Sequence, residues 1–182
     1  MLLSAFAALR RRFPRALLTV VGEPPAWYNP SALPDVPPET VRFAGRVDLP
    51  VFGAYLAAAD ICVVLRGPTA GETSGSVLRA LGLGRACIVS NVGWFAELPD
   101  GCCAKVDPGA AEETLLAAYL ERLAADDVLR TALERHAVAY AAAEHDLARC
   151  AARYAAIINA LVDGSETNAG ESLASPSHVG GA

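Results

Sequence analysis

No stretch of this sequence is long and apolar enough to cross a bilayer. The longest apolar runs, such as 58–65 with Asp60 inside it, fall far short of the roughly 18 residues that a spanning helix needs. An export signal is missing as well. In "MLLSAFAALRRRF" the apolar part precedes the arginines, the reverse of a secretory leader, and no small-residue cleavage site follows. Positive charge is in deficit: 15 Lys and Arg stand against 20 Asp and Glu, a net charge of -5. A phosphate-backbone partner needs a concentrated basic face, so nucleic acid is excluded as a ligand. Metal-ligand spacing is absent too. Cys62, Cys87, Cys102, Cys103 and Cys150 show no paired pattern. An odd number of cysteines in a chain with no export signal reads as reduced thiols in a cytoplasmic protein.

What is present is one domain of ordinary size. At 182 residues, 53% hydrophobic and 19% charged, the chain can bury a real core. Leu2, Phe6, Leu9 and Phe13 recur at spacings of four, three and four, which places them on one face of an N-terminal helix. Pro14 breaks that pattern. "ALLTVVG" (16–22) and "VRFAG" (41–45) then read as buried strands on either side of a proline-rich excursion that runs to Pro38. Asp48 and Pro50 open a helix carrying Phe52, Tyr55 and Leu56, and "ICVVL" (61–65) is a third strand. A helix presenting Val77, Leu78 and Leu81 and ending near Gly82 and Gly84 comes next. "ACIVS" (86–90) and a weaker segment at 104–106 are further strands. Helices are expected at 110–123, 126–143 and 146–161, the last two capped by Asp126 and Asp146, with Glu112 and Glu113 at the positive end of the first. From Asp163 onward little remains to bury, and a disordered tail is expected over 163–182, leaving 1–162 as the folded part. Strand and helix alternate, so the fold class is α/β with a mainly parallel sheet flanked by helices.

Such sheets bind ligands beyond the C-terminal ends of their strands, where a glycine-bearing loop opens a helix. "PTAGETSGSVLRALGLG" (68–84) is in that position. Gly71 to Ser76 offer unhindered backbone N–H groups, and Thr73, Ser74 and Ser76 add hydroxyls, a setting suited to phosphate. The Gly-Lys-Ser/Thr of a Walker loop is not there. A carboxylate repels phosphate, so Glu72 is suited to accepting hydrogen bonds from hydroxyls attached to one, as on a sugar. The alternative is that Glu72 or Thr73 only caps the helix. Trp94 and Phe95 read as packing residues, Cys62 and Cys87 as small buried hydrophobes, and His136, His145 and His178 as lying away from the ligand site. Cys102 and Cys103 fall in a loop and have no assigned role.

Taken in order, "LLTVVGE", "VRFAGRV", "YLAAADICVVL" and "PTAGETSGSVLRALGLGRACIVSNVGWFAELPD" resemble the C-terminal, donor-binding half of the retaining family 4 (group 1) glycosyltransferases. The resemblance covers most of the chain, from Leu2 to Leu161. It implies a Rossmann-like domain of the two-domain GT-B architecture, binding a nucleotide-diphosphate sugar, UDP- or GDP-linked, for transfer with retention. No cofactor or metal is implied. By position, Glu72 matches the glutamate that contacts the donor sugar. Gly71, Thr73, Ser74, Gly75, Ser76 and Val77 match the segment that touches sugar and diphosphate, and Gly45, Arg46 and Val47 match the segment near the base. Glu97 matches a further acid after the fifth strand. The resemblance places such a bacterial-type protein in the cytoplasm or at the inner membrane face.

The chain departs from the family at two places. Arg79, in "LRALG", stands where the family has a ribose-contacting glutamate, and arginine cannot accept a hydrogen bond from a ribose diol. It must turn to a phosphate or a carboxylate, or ribose must be held otherwise. The family's first strand, central in the order 3-2-1-4-5-6, has no counterpart, nor has the basic pair that follows it. Fixed positive charge on the leaving group lowers such barriers by on the order of several kcal/mol. The resemblance therefore implies a truncated donor domain, inactive alone, completed by a separate acceptor-domain chain or by self-association. Without the central strand, the strands at 17–21 and 61–65 either pair directly or leave an open edge. A non-catalytic nucleotide-sugar binding module and an epimerase relative are the alternative readings.

Overall fold

The computed structural model describes residues 1–24 and 36–162. The chain divides into two units, Met1–Glu144 and His145–Ala182. The expected tail, His178 and most of the proline-rich excursion lie outside the described residues.

In the first unit, helix α1 (Leu2–Arg12) forms on the expected stripe. Phe6 and Leu9 are buried, and Leu2 and Phe13 pack at the edge of the same core. Its three closing arginines suit the negative end of the helix. Arg12 pairs with Glu121 on the helix that α1 packs against, α5 (Glu112–Ala125). After a short turn the chain enters β1 (Leu18–Val21), which pairs in parallel with β2 (Val41–Gly45) through Leu18↔Val41, Thr19↔Arg42 and Val20↔Phe43. The ladder slips by one residue before Val21↔Gly45, and Gly22 N donates to Gly45 O at 2.9 Å.

Helix α2 (Leu49–Ala58) starts where Asp48 accepts the Val51 N–H at 2.9 Å, with Pro50 in the first turn where a missing donor costs nothing. It leads into β3 (Ile61–Val64). Helix α3 (Gly75–Gly82), β4 (Ala86–Ser90), a short α4 (Trp94–Glu97), β5 (Ala104–Val106), α5 and α6 (Asp127–Glu144) complete the unit. The closing turn of α3 requires its glycine. Arg85 N reaches back to Ala80 O and Gly84 N to Leu81 O, a Schellman closure that puts Gly84 at φ +65°. Asp126 caps α6 through the Leu129 N–H at 2.9 Å, as its position predicts.

Strands β3, β4 and β5 form one parallel sheet in the order β3-β4-β5, and β4 is its best protected member. All five residues of β4 are buried. Period-two alternation sends Ala86 and Ile88 into the core beneath α1 and α5, and Cys87 and Val89 into the core beneath α3 and α6. The second core also takes Trp94, Phe95, Leu98 and Ala137, so both aromatic residues are packing residues as expected. Cys62 and Cys87 sit opposite each other in the β3–β4 ladder as buried thiols. Cys102 and Cys103, in a loop, are buried as well, and burial pushes the Cys103 thiol up to about 11.

The single sheet expected from alternation is instead two. β1 pairs only with β2, β3 pairs only with β4 on its side, and no ladder joins β1 to β3 among the described residues. Of the two expected outcomes, direct pairing of β1 with β3 does not occur among the described residues. The α/β class and the Rossmann-like alternation hold. Two short elements escape the sequence reading, α4 and a 3-10 turn at Pro38–Thr40, because four and three residues are too few to show a period.

The described part of the second unit is α7 (Leu147–Val162), whose first turn is capped by Asp146 through the Arg149 N–H at 2.8 Å. No helix among the described residues is long and apolar enough to cross a membrane.

Candidate functional site

The loop after β3 is anchored before it turns. Ser90, buried at the end of β4, accepts the Arg66 N–H on its Oγ at 2.9 Å, which ties the second loop residue to the neighbouring strand. Four residues later the chain folds on itself. Thr69 Oγ1 donates to Glu72 Oε2 at 2.8 Å, Ala70 N donates to the same oxygen at 2.9 Å, and Gly71 N donates to Thr69 Oγ1 at 3.0 Å. Gly71 takes φ +87°, which a side chain would resist.

Glu72 is exposed, yet its carboxyl is held below the ordinary carboxylate range. Its own backbone N–H contributes most, then the Thr69 hydroxyl and the Ala70 N–H, with the Arg66 charge adding a little against a small desolvation penalty. Donors aimed at the charged form favour it. The group is therefore an ionised, acceptor-only carboxylate at neutral pH.

The helix cap belongs to another residue. Ser74 Oγ accepts the Val77 N–H at 3.4 Å and Ser74 O accepts the Leu78 N–H at 3.0 Å, so neither Glu72 nor Thr73 caps α3. Thr73 and Gly75 are exposed and Ser76 is half-buried, while Val77 is fully buried and holds the helix start down on the core. Arg79 folds back over the first turn, its Nη1 donating to Gly75 O at 2.9 Å. A Cβ at Gly75 would stand 2.8 Å from that nitrogen. The partner of Arg79 is thus a carbonyl in the first turn of its own helix.

A second loop closes against the first. Gly93, after β4, takes φ +51°, and a Cβ there would lie 2.6 Å from Thr69 Cγ2 and 3.5 Å from Gly71 Cα. Asn91 N donates to Val106 O at 2.7 Å and Asn91 Nδ2 to Asp107 Oδ1 at 2.6 Å, fixing the start of this loop to the end of β5. Glu97 is exposed at the end of α4. Thr69 and Gly93 were not singled out by sequence reasoning. Thr69 is legible as the first residue of a Thr-x-x-Glu pattern, the spacing at which hydroxyl and carboxylate meet across one turn. Gly93 carries no such local signal.

Gly45, Arg46 and Val47 lie in the other sheet, in the turn after β2. Gly45 takes φ +66°, Arg46 is exposed and Val47 half-buried. No hydrogen bond or ion pair joins them to the Glu72 loop among the described residues. His136 sits on α6 beside the Gly101 turn, its Nδ1 3.3 Å from where a Cβ on Gly101 would be, and its carbonyl meets Cys102 Sγ at 3.7 Å. No cluster of three or more His, Cys, Asp or Glu that could hold a metal occurs among the described residues.

An α/β unit of parallel strands, with an acidic glycine-bearing loop leaving a strand end to open a helix, is a Rossmann-like ligand-binding architecture. The chain belongs to the family described as Glycosyl transferases group 1, whose family model matches residues 1–126 and so includes every candidate site residue. Among solved structures, it is similar to sucrose-phosphate synthase from Thermosynechococcus elongatus, with a TM-score of 0.69 at 22% identity over 90% of this chain and 43% of that one. WaaG, a glycosyltransferase involved in lipopolysaccharide biosynthesis, gives 0.62 at 26% identity over 76% of this chain and 37% of that one. HepE from Anabaena, in complex with UDP, gives 0.60 at 16% identity over 86% and 53%. The chain thus spans about half or less of the length of these relatives. No curated protein is significantly similar to it in sequence.

Proposed function

We propose that this chain is the donor-binding portion of a glycosyltransferase, that it takes a UDP- or GDP-linked sugar, and that transfer with retention of configuration occurs only when the remaining parts of the enzyme are supplied. One observation carries this reading. Glu72 is an exposed carboxylate, kept ionised by its own backbone N–H, by Thr69 and by Ala70, shortly before the small residues Thr73 to Gly75 at a helix start. An acceptor-only group of that kind suits sugar hydroxyls, and the backbone beside it suits the attached diphosphate.

In this reading Glu72 orients the donor sugar. Gly71 and Thr73 to Val77 supply backbone and hydroxyl contacts to sugar and diphosphate, while Gly45, Arg46 and Val47 face the base. Arg79 leaves the Gly75 carbonyl for the diphosphate when ligand arrives. Residues 1–162 act as this donor-binding half, in the cytoplasm or at the inner membrane face, with the acceptor bound elsewhere. Family membership and the UDP held by HepE support a nucleotide-linked donor.

Calorimetric titration with UDP, GDP and ADP and with their sugar forms, on the wild-type chain and on Glu72→Ala, tests the assignment. The expected result is one sugar nucleotide that binds at least tenfold more weakly to the variant, while the bare nucleotide binds both equally. Equal affinity of the two proteins for every sugar nucleotide overturns the role of Glu72.

A second reading, a binding module that never turns over, is favoured by Arg79. Its guanidinium is bonded to Gly75 O, and by the family resemblance it stands where a ribose-contacting carboxylate is expected. Supplying the missing parts in trans separates the two, because sugar transfer appears under the first reading and not under the second.

A further inference from the structure

Most cations around the Glu72 loop are committed elsewhere. Arg79 donates to Gly75 O. Lys105 Nζ lies 3.1 Å from both Ala96 O and Asp100 Oδ1. Arg85, just before β4 and so at the far end of the sheet, donates to Leu83 O and Ala59 O. Arg46 follows β2 in the other sheet. Arg66 combines a fixed backbone with an uncommitted head. Its N–H is held by the buried Ser90 Oγ at 2.9 Å, two residues past the end of β3. Its side chain is exposed and makes no hydrogen bond or ion pair among the described residues. The guanidinium charge nevertheless reaches the Glu72 carboxyl and helps to keep it ionised.

An ionised Glu72 sets a requirement on the site. If a sugar sits on that carboxylate and a diphosphate follows it, two anions are brought close together, and they repel unless a cation stands beside them. The start of α3 supplies neutral donors only. Ser74 takes up the Val77 and Leu78 N–H groups, which leaves those of Gly75 and Ser76 for a ligand. Arg79 reaches an anion only after breaking its bond to Gly75 O. Arg66 needs no such release. A guanidinium keeps its charge throughout the working pH range, and its planar fork matches the oxygens of a phosphoryl group.

We infer, on the donor-binding reading, that Arg66 is a binding residue for the donor's diphosphate, pairing with its oxygens at the C-terminal end of β3 and offsetting the charge of Glu72. The diphosphate is the partner rather than a neutral sugar, because sugar hydroxyls already have their acceptor in Glu72, and a guanidinium bonds most strongly to an anion.

The test is an NMR titration of the whole chain, which reads dissociation constants into the millimolar range, on the wild type, Arg66→Gln and Arg66→Lys. The ligands are UDP, GDP and ADP, the three free nucleosides, UDP-glucose and UDP-glucuronate, each at low and at high salt. Arg66→Gln should bind the preferred nucleoside diphosphate about tenfold more weakly or worse, with a shallower dependence on salt, and should bind the nucleoside as the wild type does. Arg66→Lys, which keeps the charge and loses the fork, should recover part of the affinity. Urea denaturation should leave Arg66→Gln as stable as the wild type, since the bond to Ser90 is made by the backbone. Equal affinity of Arg66→Gln and the wild type for the diphosphate overturns the role of Arg66 and leaves the donor-binding reading standing. An equal loss for the nucleoside marks a structural effect and overturns it too. A loss confined to UDP-glucuronate, with UDP and UDP-glucose unaffected, assigns the cation to an acid on the sugar and overturns the choice of the diphosphate. A folded wild type that binds no nucleoside diphosphate overturns the donor-binding reading, and the role of Arg66 falls with it.

Discussion

Two short, uncharged, mostly apolar strands, β1 "LTVV" and β4 "ACIVS", have different fates in this protein. β4 lies between two partners and between two helical layers, and none of its side chains reaches solvent. β1 has one partner, and Thr19 is exposed while its neighbours are half-buried. Burial of a strand is thus a property of its neighbours more than of its residues. The same contrast separates the two candidate ligand segments. The Glu72 loop leaves the well-supported sheet and is braced by Ser90 from β4 and by the Gly93 turn, whereas Gly45, Arg46 and Val47 leave the half-sheet with a single ladder to support them.

The comparison can be pressed hardest in the core. Ile88→Ala in β4 should destabilise the fold by about 3 kcal/mol, because the cavity opens where the surroundings are packed from every side. Val20→Ala in β1 should cost about 1 kcal/mol or less, since part of that side chain already faces water. Urea denaturation of both variants checks the pair, and equal losses would erase the distinction between the half-sheets. A smaller effect belongs to the junction of the two loops. Gly93→Ala should cost about 1–2 kcal/mol, from a disfavoured positive φ and a collision with Thr69 Cγ2. Adding Thr69→Ser, which removes that methyl group, should recover part of the loss in the same measurement.

The cap and the carboxylate complete the series. Ser74→Ala should cost about 1 kcal/mol through the unsatisfied Val77 N–H, whereas Thr73→Ala should be close to neutral, because Ser74 and not Thr73 is the cap. The effect at Glu72 is on protonation. Its folded-state pKa is depressed, so whatever stability its ionised form lends is present above the free-glutamate value and is lost as pH falls through the lower folded value. An NMR titration of the side-chain carboxyl should place its midpoint below that of a free glutamate. Thr69→Val should move the midpoint upward, toward the free value, by removing one donor.

Much of the local architecture was legible. The four-three-four spacing of Leu2, Phe6, Leu9 and Phe13 reads as the buried face of α1, and Asp48, Asp126 and Asp146 read as caps, because these signals lie within a turn or two of the residues they act on. The position of Glu72 at a loop-to-helix junction was legible for the same reason. Its partner Thr69 is readable three residues upstream, while Gly93 carries no local signal, since the atom that forbids a side chain there comes from another loop. The alternative in which Glu72 or Thr73 only caps the helix gives way to Ser74 for a related reason: Thr73 and Ser74 are both competent caps, and which one serves depends on where the chain leaves the β3 end.

By itself the sequence determined the order and type of the elements, the apolar faces of the helices, the absence of a bilayer-spanning helix among the described residues and the acidic loop beyond β3. Each depends on periodicity or on contacts within one turn. Tertiary structure alone decided that β1 and β3 do not pair, that β4 is enclosed while β1 and β3 are not, and that the Glu72 carboxylate is occupied by Thr69 and Ala70 on one oxygen. Those outcomes depend on which residues distant in the chain come within hydrogen-bonding distance, and a one-dimensional pattern does not contain that distance.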